Sequence, residues 1–236
     1  MDKNKKLCSN SPFGLLNITF LCDKGRDGLF ENTYIFNTST TNCGLVEQVK
    51  KIILWASGSG SNVEKIYQYF QQNRHISVAA IFTNKANAGV IQRMQAYQPI
   101  IEVYDNAFFE SGAVDKRLAH YAPDLIVLAG FLRKIAPSTI NLYPNKIINI
   151  HPALLPHYGG KGMYGMRVHQ AVYDQQETQT GITIHYVNEH YDDGAILFQQ
   201  AVPILPEDTP EDIAQKAHDL EYQYYPKVIE ELLTTS

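Results

Sequence analysis

From Ile52 onward, short runs of apolar and β-branched residues alternate with stretches whose apolar positions recur every three or four residues. The runs IILWAS (52–57), VAAIFTN (78–84), IIEVYD (100–105), DLIVLAG (124–130) and IINIH (147–151) read as strands. Between the first two, Val63, Ile66, Tyr67 and Phe70 fall at i, i+3, i+4 and i+7, which predicts a helix from Asn62 to about Gln72. Gly89, Pro99 and Pro123 punctuate the later units. Strands interleaved with helices are the mark of a parallel sheet covered by helices on both faces.

The pattern changes after residue 175. GITIHYVN (181–188) alternates, and AILFQQAVPIL (195–205) follows it at hairpin distance, which predicts an antiparallel edge. A last helix is expected from Thr209, where Thr209-Pro210-Glu211-Asp212 offers an N-cap, a proline in the first turn and acids at the positive end of the helix dipole. It should reach about Leu233, with a kink or break at Pro226. The expected class is therefore α/β: a Rossmann-like, mostly parallel sheet with helices on both faces and an antiparallel C-terminal edge.

The 236-residue chain suits one large domain or a domain with an appendage. Residues 50–236 carry the α/β pattern. Residues 1–49, rich in Asn, Thr, Ser and Lys around one apolar patch at Phe13–Leu21, read as an extension of uncertain order or as a start codon placed too early. The net charge of −4, with signs interspersed, argues against nucleic acid as a partner. No apolar run approaches the roughly 20 residues that span a bilayer, and LLNITFLC lies too far in and is too short for a secretory signal. These features predict a cytoplasmic protein with small-molecule partners and no membrane. Cys8, Cys22 and Cys43 all precede residue 50 and match neither a disulfide framework nor a zinc site.

Three stretches carry candidate chemistry. The first strand runs into ASGSGSNVEKI, a turn where Gly58 and Gly60 can take angles closed to other residues and present N–H groups to an anion at a helix N-terminus. A plain strand-to-helix turn capped by Ser61 or Asn62 is the other reading. In INIHPALLP, Asn149 and His151 stand two apart on a strand and so share a face at the carboxyl end of the sheet. They read as a hydrogen-bonded core pair or as a reactive pair, with Pro152 and Pro156 fixing a rigid exit from the strand. HYDDGAIL brings Asp192, Asp193 and Gly194, as a solvated turn or as a carboxylate within reach of His151. His157, His185, His190 and His218 show no metal-binding spacing and read as scattered surface or core histidines.

Taken in order, S-G-x-G-S-N after the first strand, N-I-H-P-x-L-L-P in the middle and D-x-G about forty residues on resemble the phosphoribosylglycinamide formyltransferase family. The resemblance spans residues 51–233. The asparagine, histidine and aspartate are shared with other folate-dependent formyltransferases and with formyltetrahydrofolate hydrolase, so the phosphate loop is the discriminating part. Where the hydrolase would carry an N-terminal regulatory domain, residues 1–49 are too short and too polar to serve, which favours the transferase. The loop HYGGKGMYGMRVH departs from the family's commoner YPGLHxH form, so no contacts are carried onto it.

The resemblance implies that residues 50–236 are a formyltransferase catalytic domain. It would pass the formyl group of 10-formyltetrahydrofolate, a co-substrate, to the amine of glycinamide ribonucleotide, without a metal, as a monomer or homodimer. Asn149, His151 and Asp192 then match the catalytic residues. Gly60, Ser61 and Asn62 match phosphate-holding residues, and Glu221 matches a glutamate that contacts the ribonucleotide. Leu132, Arg133 and Ile135, with Asn188 opposite, match the pterin pocket, and His169 lies where the family often has a histidine. Asn149 would donate to an oxyanion, His151 would donate or relay a proton, and Asp192 would orient that ring and favour its cation. The alternatives are another folate-dependent formyltransferase, the hydrolase, or a non-catalytic phosphate- or nucleotide-binding module.

Overall fold

The computed structural model describes residues 48–235 and, before them, the backbone of two short antiparallel strands, Cys22–Lys24 (β1) and Phe30–Asn32 (β2). The patch Phe13–Leu21 and the three cysteine side chains lie outside the described residues.

Seven further strands form one sheet. They are Lys50–Ala56 (β3), Ile76–Thr83 (β4), Ile101–Val103 (β5), Leu125–Leu128 (β6), Ile147–His151 (β7), Gln179–Tyr186 (β8) and Ile196–Pro203 (β9). Their order is β5-β4-β3-β6-β7-β8-β9; pairing is parallel from β5 to β7 and antiparallel from β7 to β9. The expected mostly parallel sheet with an antiparallel C-terminal edge is what forms. The helices are Ser61–Phe70 (α1), Gly89–Arg93 (α2), Asn106–Glu110 (α3), Val114–Tyr121 (α4), Pro137–Leu142 (α5), Met166–Asp174 (α6) and Pro210–Thr234 (α7).

Successive residues of a strand face opposite sides, and β3 buries both. Ile52, Leu54 and Ala56 pack with Val63 and Ile66 of α1 and Tyr225 and Ile229 of α7. Ile53 and Trp55 turn the other way, toward Phe82, Phe109, Leu118 and Phe131. Trp55 meets the edges of Phe109 and Phe131 at 5.0 and 5.1 Å between ring centroids, a favoured aromatic geometry.

Three local expectations are corrected. Gly60 itself caps α1 with φ 74°, and neither Ser61 nor Asn62 does; the Asn62 side chain is engaged elsewhere. Gly58 is not in the left-handed region, so only Gly60 of the pair needs glycine's freedom. The last helix passes Pro226 unbroken, because Pro226 and its neighbours Tyr225, Val228 and Ile229 are buried and packing holds the helix across the missing N–H. Its start is as read from sequence: Thr209 accepts from the Asp212 N–H, and Asp212 accepts from the Thr209 N–H at 2.9 Å.

Candidate active site

β4 lies on one side of β3 and β6 on the other, so the connections leaving β3 and β6 diverge to opposite faces of the sheet. A crevice opens between them at the carboxyl ends of the strands, where open α/β sheets bind ligands. It holds a cavity of about 550 Å³, a size suited to a small molecule.

One end of the cavity is the turn into α1. Gly60 is pressed against Val90, where a Cβ would come within 2.5 Å of Val90 Cγ2, so the chain can turn this tightly only with glycine. The first-turn N–H groups that follow have no acceptor inside the helix and sit at its positive end, a ready anion cradle. Asn62 Nδ2 donates to Glu221 Oε2 at 2.8 Å, linking α1 to α7. Glu221 is only 5% exposed. Burial pushes its carboxyl up to about 7, against the opposing effect of the Asn62 hydrogen bond.

The centre answers why a buried strand carries an amide and an imidazole. β7 sets Asn149 opposite His185 and His151 opposite Thr183 of β8. Facing residues of paired strands touch, and Asn149 Nδ2 lies 3.1 Å from His185 Nε2. His185 Nδ1 lies 2.8 Å from the Tyr186 carbonyl, which can only accept, so Nδ1 carries a proton there and Nε2 is left to accept from Asn149. By the same reasoning His151 Nε2 donates to the Tyr158 carbonyl at 2.8 Å. The other ring nitrogen, Nδ1, faces Asp192 Oδ2 at 3.6 Å, too far for a hydrogen bond but close enough for a strong field. Asp192 Oδ2 also accepts from the Gly160 N–H at 2.9 Å, and Oδ1 lies 3.7 Å from His185 Nε2.

These contacts set the charges. Burial works against ionising Asp192, but the Gly160 N–H donates to its Oδ2, and His185 and His151 favour the carboxylate whenever either ring carries a proton toward it, so the carboxyl lies below its usual range. For His151 the balance goes the other way. Burial depresses its pKa more than Asp192 raises it, so the resting ring is neutral although the Asp192 charge, as expected, favours the cation.

The other end is walled by the segment after β6. Gly130, at φ 78°, turns the chain back so that its carbonyl accepts from the Ser57 N–H at 3.0 Å, and Ser57 Oγ accepts from the Leu132 N–H at 3.0 Å. Ile135 is buried, while Leu132, an apolar side chain, remains 47% exposed beside the cavity. Arg133 pairs with Glu110 at 3.7 Å, and Asn188 accepts from the His190 N–H at 2.8 Å.

Gly60, Ser61, Asn62, Leu132, Arg133, Ile135, Asn149, His151, Asn188, Asp192 and Glu221, separated by up to 161 positions, all line this one cavity. So do residues whose part was not foreseen. His185, His190 and His218, read from sequence as bystanders, border the same space, and His185 is central to it. His169 is 2% exposed, with its Nδ1 lacking a hydrogen-bond partner. Burial, with His218 and His151 nearby, pushes its pKa down to about 4. The loop from Gly160 to Gly165 forms another wall. Among the described residues no group of three or more His, Cys, Asp or Glu is placed to hold a metal, and no helix is long and apolar enough to cross a membrane.

Comparison with known proteins points the same way. Residues 50–229 match the family model described as formyl transferase. A phosphoribosylglycinamide formyltransferase of Bacillus subtilis is 38% identical over 194 residues, which is 78% of this chain and 95% of that protein. The chloroplastic phosphoribosylglycinamide formyltransferase of Arabidopsis thaliana is also 38% identical, over 76% of this chain; the match spans 64% of the plant protein's own length. The crystal structure of glycinamide ribonucleotide transformylase 1 from Geobacillus kaustophilus superposes with a TM-score of 0.72 at 31% identity, covering 79% of this chain and 100% of that one.

Proposed function

This chain belongs to the formyl transferase family, and from that premise we propose that it moves the formyl group of 10-formyltetrahydrofolate onto the amine of glycinamide ribonucleotide, a step of purine synthesis. The observation that carries the reading is the joining, in one cavity, of an anion cradle at α1 with the Asn149, His151 and Asp192 cluster. A generic formyl-transfer centre needs only the second; a phosphorylated amine substrate calls for the first.

The cavity's residues fit both partners. The N–H groups after Gly60 suit a phosphate, and Glu221 beside them suits a hydroxyl. At the other end, the backbone between Gly130 and Ile135, the uncovered Leu132 and the polar Asn188 suit a flat heterocycle with edge donors and acceptors. Bound there, 10-formyltetrahydrofolate supplies the one-carbon unit and a carbonyl oxygen on which negative charge builds as the amine attacks.

Asn149 then acts as donor to that oxygen. One of its N–H bonds is held by His185 Nε2, which fixes the amide plane and aims the rest of the group. His151 rests neutral with Nδ1 unprotonated, so it takes a proton as the attacking nitrogen becomes positive. The cation so formed has both protons engaged, one by Tyr158 O and one toward Asp192. Asp192 thus stabilises the charged ring only after proton capture, which is when stabilisation lowers the barrier.

Incubating the protein with both substrates and following release of tetrahydrofolate tests the reading. Release that depends on glycinamide ribonucleotide supports it. Release without any amine would mark a hydrolase, and release only with another amine would mark a different formyltransferase. The cytoplasmic setting belongs to the same proposal; the Arabidopsis relative is named as chloroplastic.

A further inference from the structure

Tyr158 has no part in the cavity wall, yet its carbonyl is the acceptor that holds His151 Nε2. Its backbone is left-handed, with φ 57°, a conformation that a bulky non-glycine residue adopts only when its surroundings impose it. The structure shows one restraint. The Tyr158 hydroxyl donates to Glu177 Oε1 at 2.7 Å, just beyond the end of α6. This bond closes a ring of chain around the glycine-rich loop and α6.

We propose that Tyr158 and Glu177 form a clasp that sets which nitrogen of His151 carries the proton; resting on the formyl-transfer reading, they are positioning residues for that histidine. Two acceptors compete for the one proton of the neutral ring, the Tyr158 carbonyl on the Nε2 side and the Asp192 carboxylate on the Nδ1 side. With the clasp closed, the carbonyl stands at hydrogen-bond distance while the carboxylate stands 3.6 Å away, so the proton sits on Nε2 and Nδ1 is free to accept. With the clasp open, the carbonyl is free to withdraw. The proton then shifts to Nδ1, toward the negative charge, and the nitrogen that faces Asp192 can no longer act as a base. Gly160, two residues on, donates to Asp192 Oδ2, so the same short segment holds both members of the pair.

The experiment compares wild type with Tyr158→Phe, Glu177→Ala and Glu177→Gln. It reads kcat and KM with both substrates and, independently of activity, the His151 tautomer by ¹⁵N NMR of histidine-labelled protein, with His151→Asn identifying its signals among the eight histidines. Tyr158→Phe and Glu177→Ala are expected to move His151 from the Nε2-protonated form toward Nδ1 and to lower kcat about tenfold while leaving KM within about twofold. Glu177→Gln retains an oxygen that accepts from the phenol and should restore most of both. The double variant should lose no more than Tyr158→Phe alone, since one bond is broken in each. Glu177 is exposed, so its variants keep the test open if Tyr158→Phe folds poorly. An unchanged tautomer in Glu177→Ala, or a changed tautomer with wild-type kcat, overturns the proposal. If wild type transfers no formyl group, the functional reading fails instead, and the NMR comparison alone decides on the clasp.

Discussion

Asn149 and His185 stand directly opposite each other on β7 and β8, and the amide nitrogen of the first lies 3.1 Å from Nε2 of the second. An asparagine side chain left free in a cavity would rotate about its last bond and aim its donors at random. The histidine removes that freedom, its own ring fixed by the Tyr186 carbonyl.

His185→Ala should therefore lower turnover although His185 is placed in no direct chemical step. Loss of an oxyanion donor costs about 10²–10³ in kcat, and a misaimed donor should cost somewhat less, on the order of tenfold to a hundredfold. Asn149→Ala should cost more than His185→Ala, and the double variant little more than Asn149→Ala alone. Steady-state kinetics of the three proteins decide the point; full additivity would show that the two side chains act separately.

Asp192→Asn should change the pH profile as well as the rate. Asp192 raises the pKa of His151, opposing the larger depression by burial. Without that charge the ring's pKa falls further, so the acid limb of kcat moves to lower pH while the plateau drops, by about 10²–10⁴ if proton transfer is limiting. A limb that moves to higher pH, or a plateau that holds, would show that the field of Asp192 does not reach the working histidine.

The sheet was legible because its strands are short apolar runs separated by helical periods, and β7 was read at its full extent, Ile147–His151. Strand ends were less so: DLIVLAG predicted residues 124–130, but the strand stops at Leu128, because Gly130 turns the chain toward Ser57, a tertiary contact no local pattern encodes. Asn149 and His151 stood out as polar residues in an apolar strand. His185 did not, because its partner follows from the register between β7 and β8, and register depends on side chains packing across strands that are 36 residues apart at this pair. The resting charge of His151 is hidden for a related reason: a nearby carboxylate is suggested by sequence, but the degree of burial that outweighs it is not.

The two glycines of the anion turn give a contrast in stability. Ala at position 60 would meet Val90 Cγ2 at 2.5 Å and Val90 Cα at 2.7 Å, at a φ of 74°. Left-handed backbone costs about 1–2 kcal/mol for a residue with a Cβ, and overpacking typically adds about 1–3 kcal/mol. Gly60→Ala should then lower Tm by roughly 5–15 °C, at about 2–4 °C per kcal/mol for a domain of this size. Position 58 has nothing within 4 Å of an added Cβ, so Gly58→Ala should leave Tm within about 2 °C. Thermal denaturation followed by circular dichroism checks both, and equal melting points for the two variants would mean that the approach of Gly60 to Val90 is not tight.

Glu221 supplies a prediction in which the sign is unusual for a carboxylate. Its pKa is raised in the folded protein from 4.5 to about 7, chiefly by burial, so the native state holds a proton that the unfolded chain has released. Below pH 4.5 both states are protonated and Glu221 has no effect on stability. Between about 4.5 and 7 the native state binds more protons than the unfolded one, so stability falls as pH rises, and above pH 7 the full cost, on the order of 3 kcal/mol, is in force. Glu221→Gln keeps an acceptor for the Asn62 amide without the charge. It should melt near the wild-type temperature at pH 4.5 and several degrees above it at pH 8. The same substitution should weaken binding of the phosphorylated substrate only if the ionised carboxylate is what that substrate meets. A wild-type melting curve that does not fall relative to Glu221→Gln between pH 4.5 and 8 would mean that Glu221 is ionised without penalty in the fold, and that the cavity beside α1 is more hydrated than the burial of Glu221 implies.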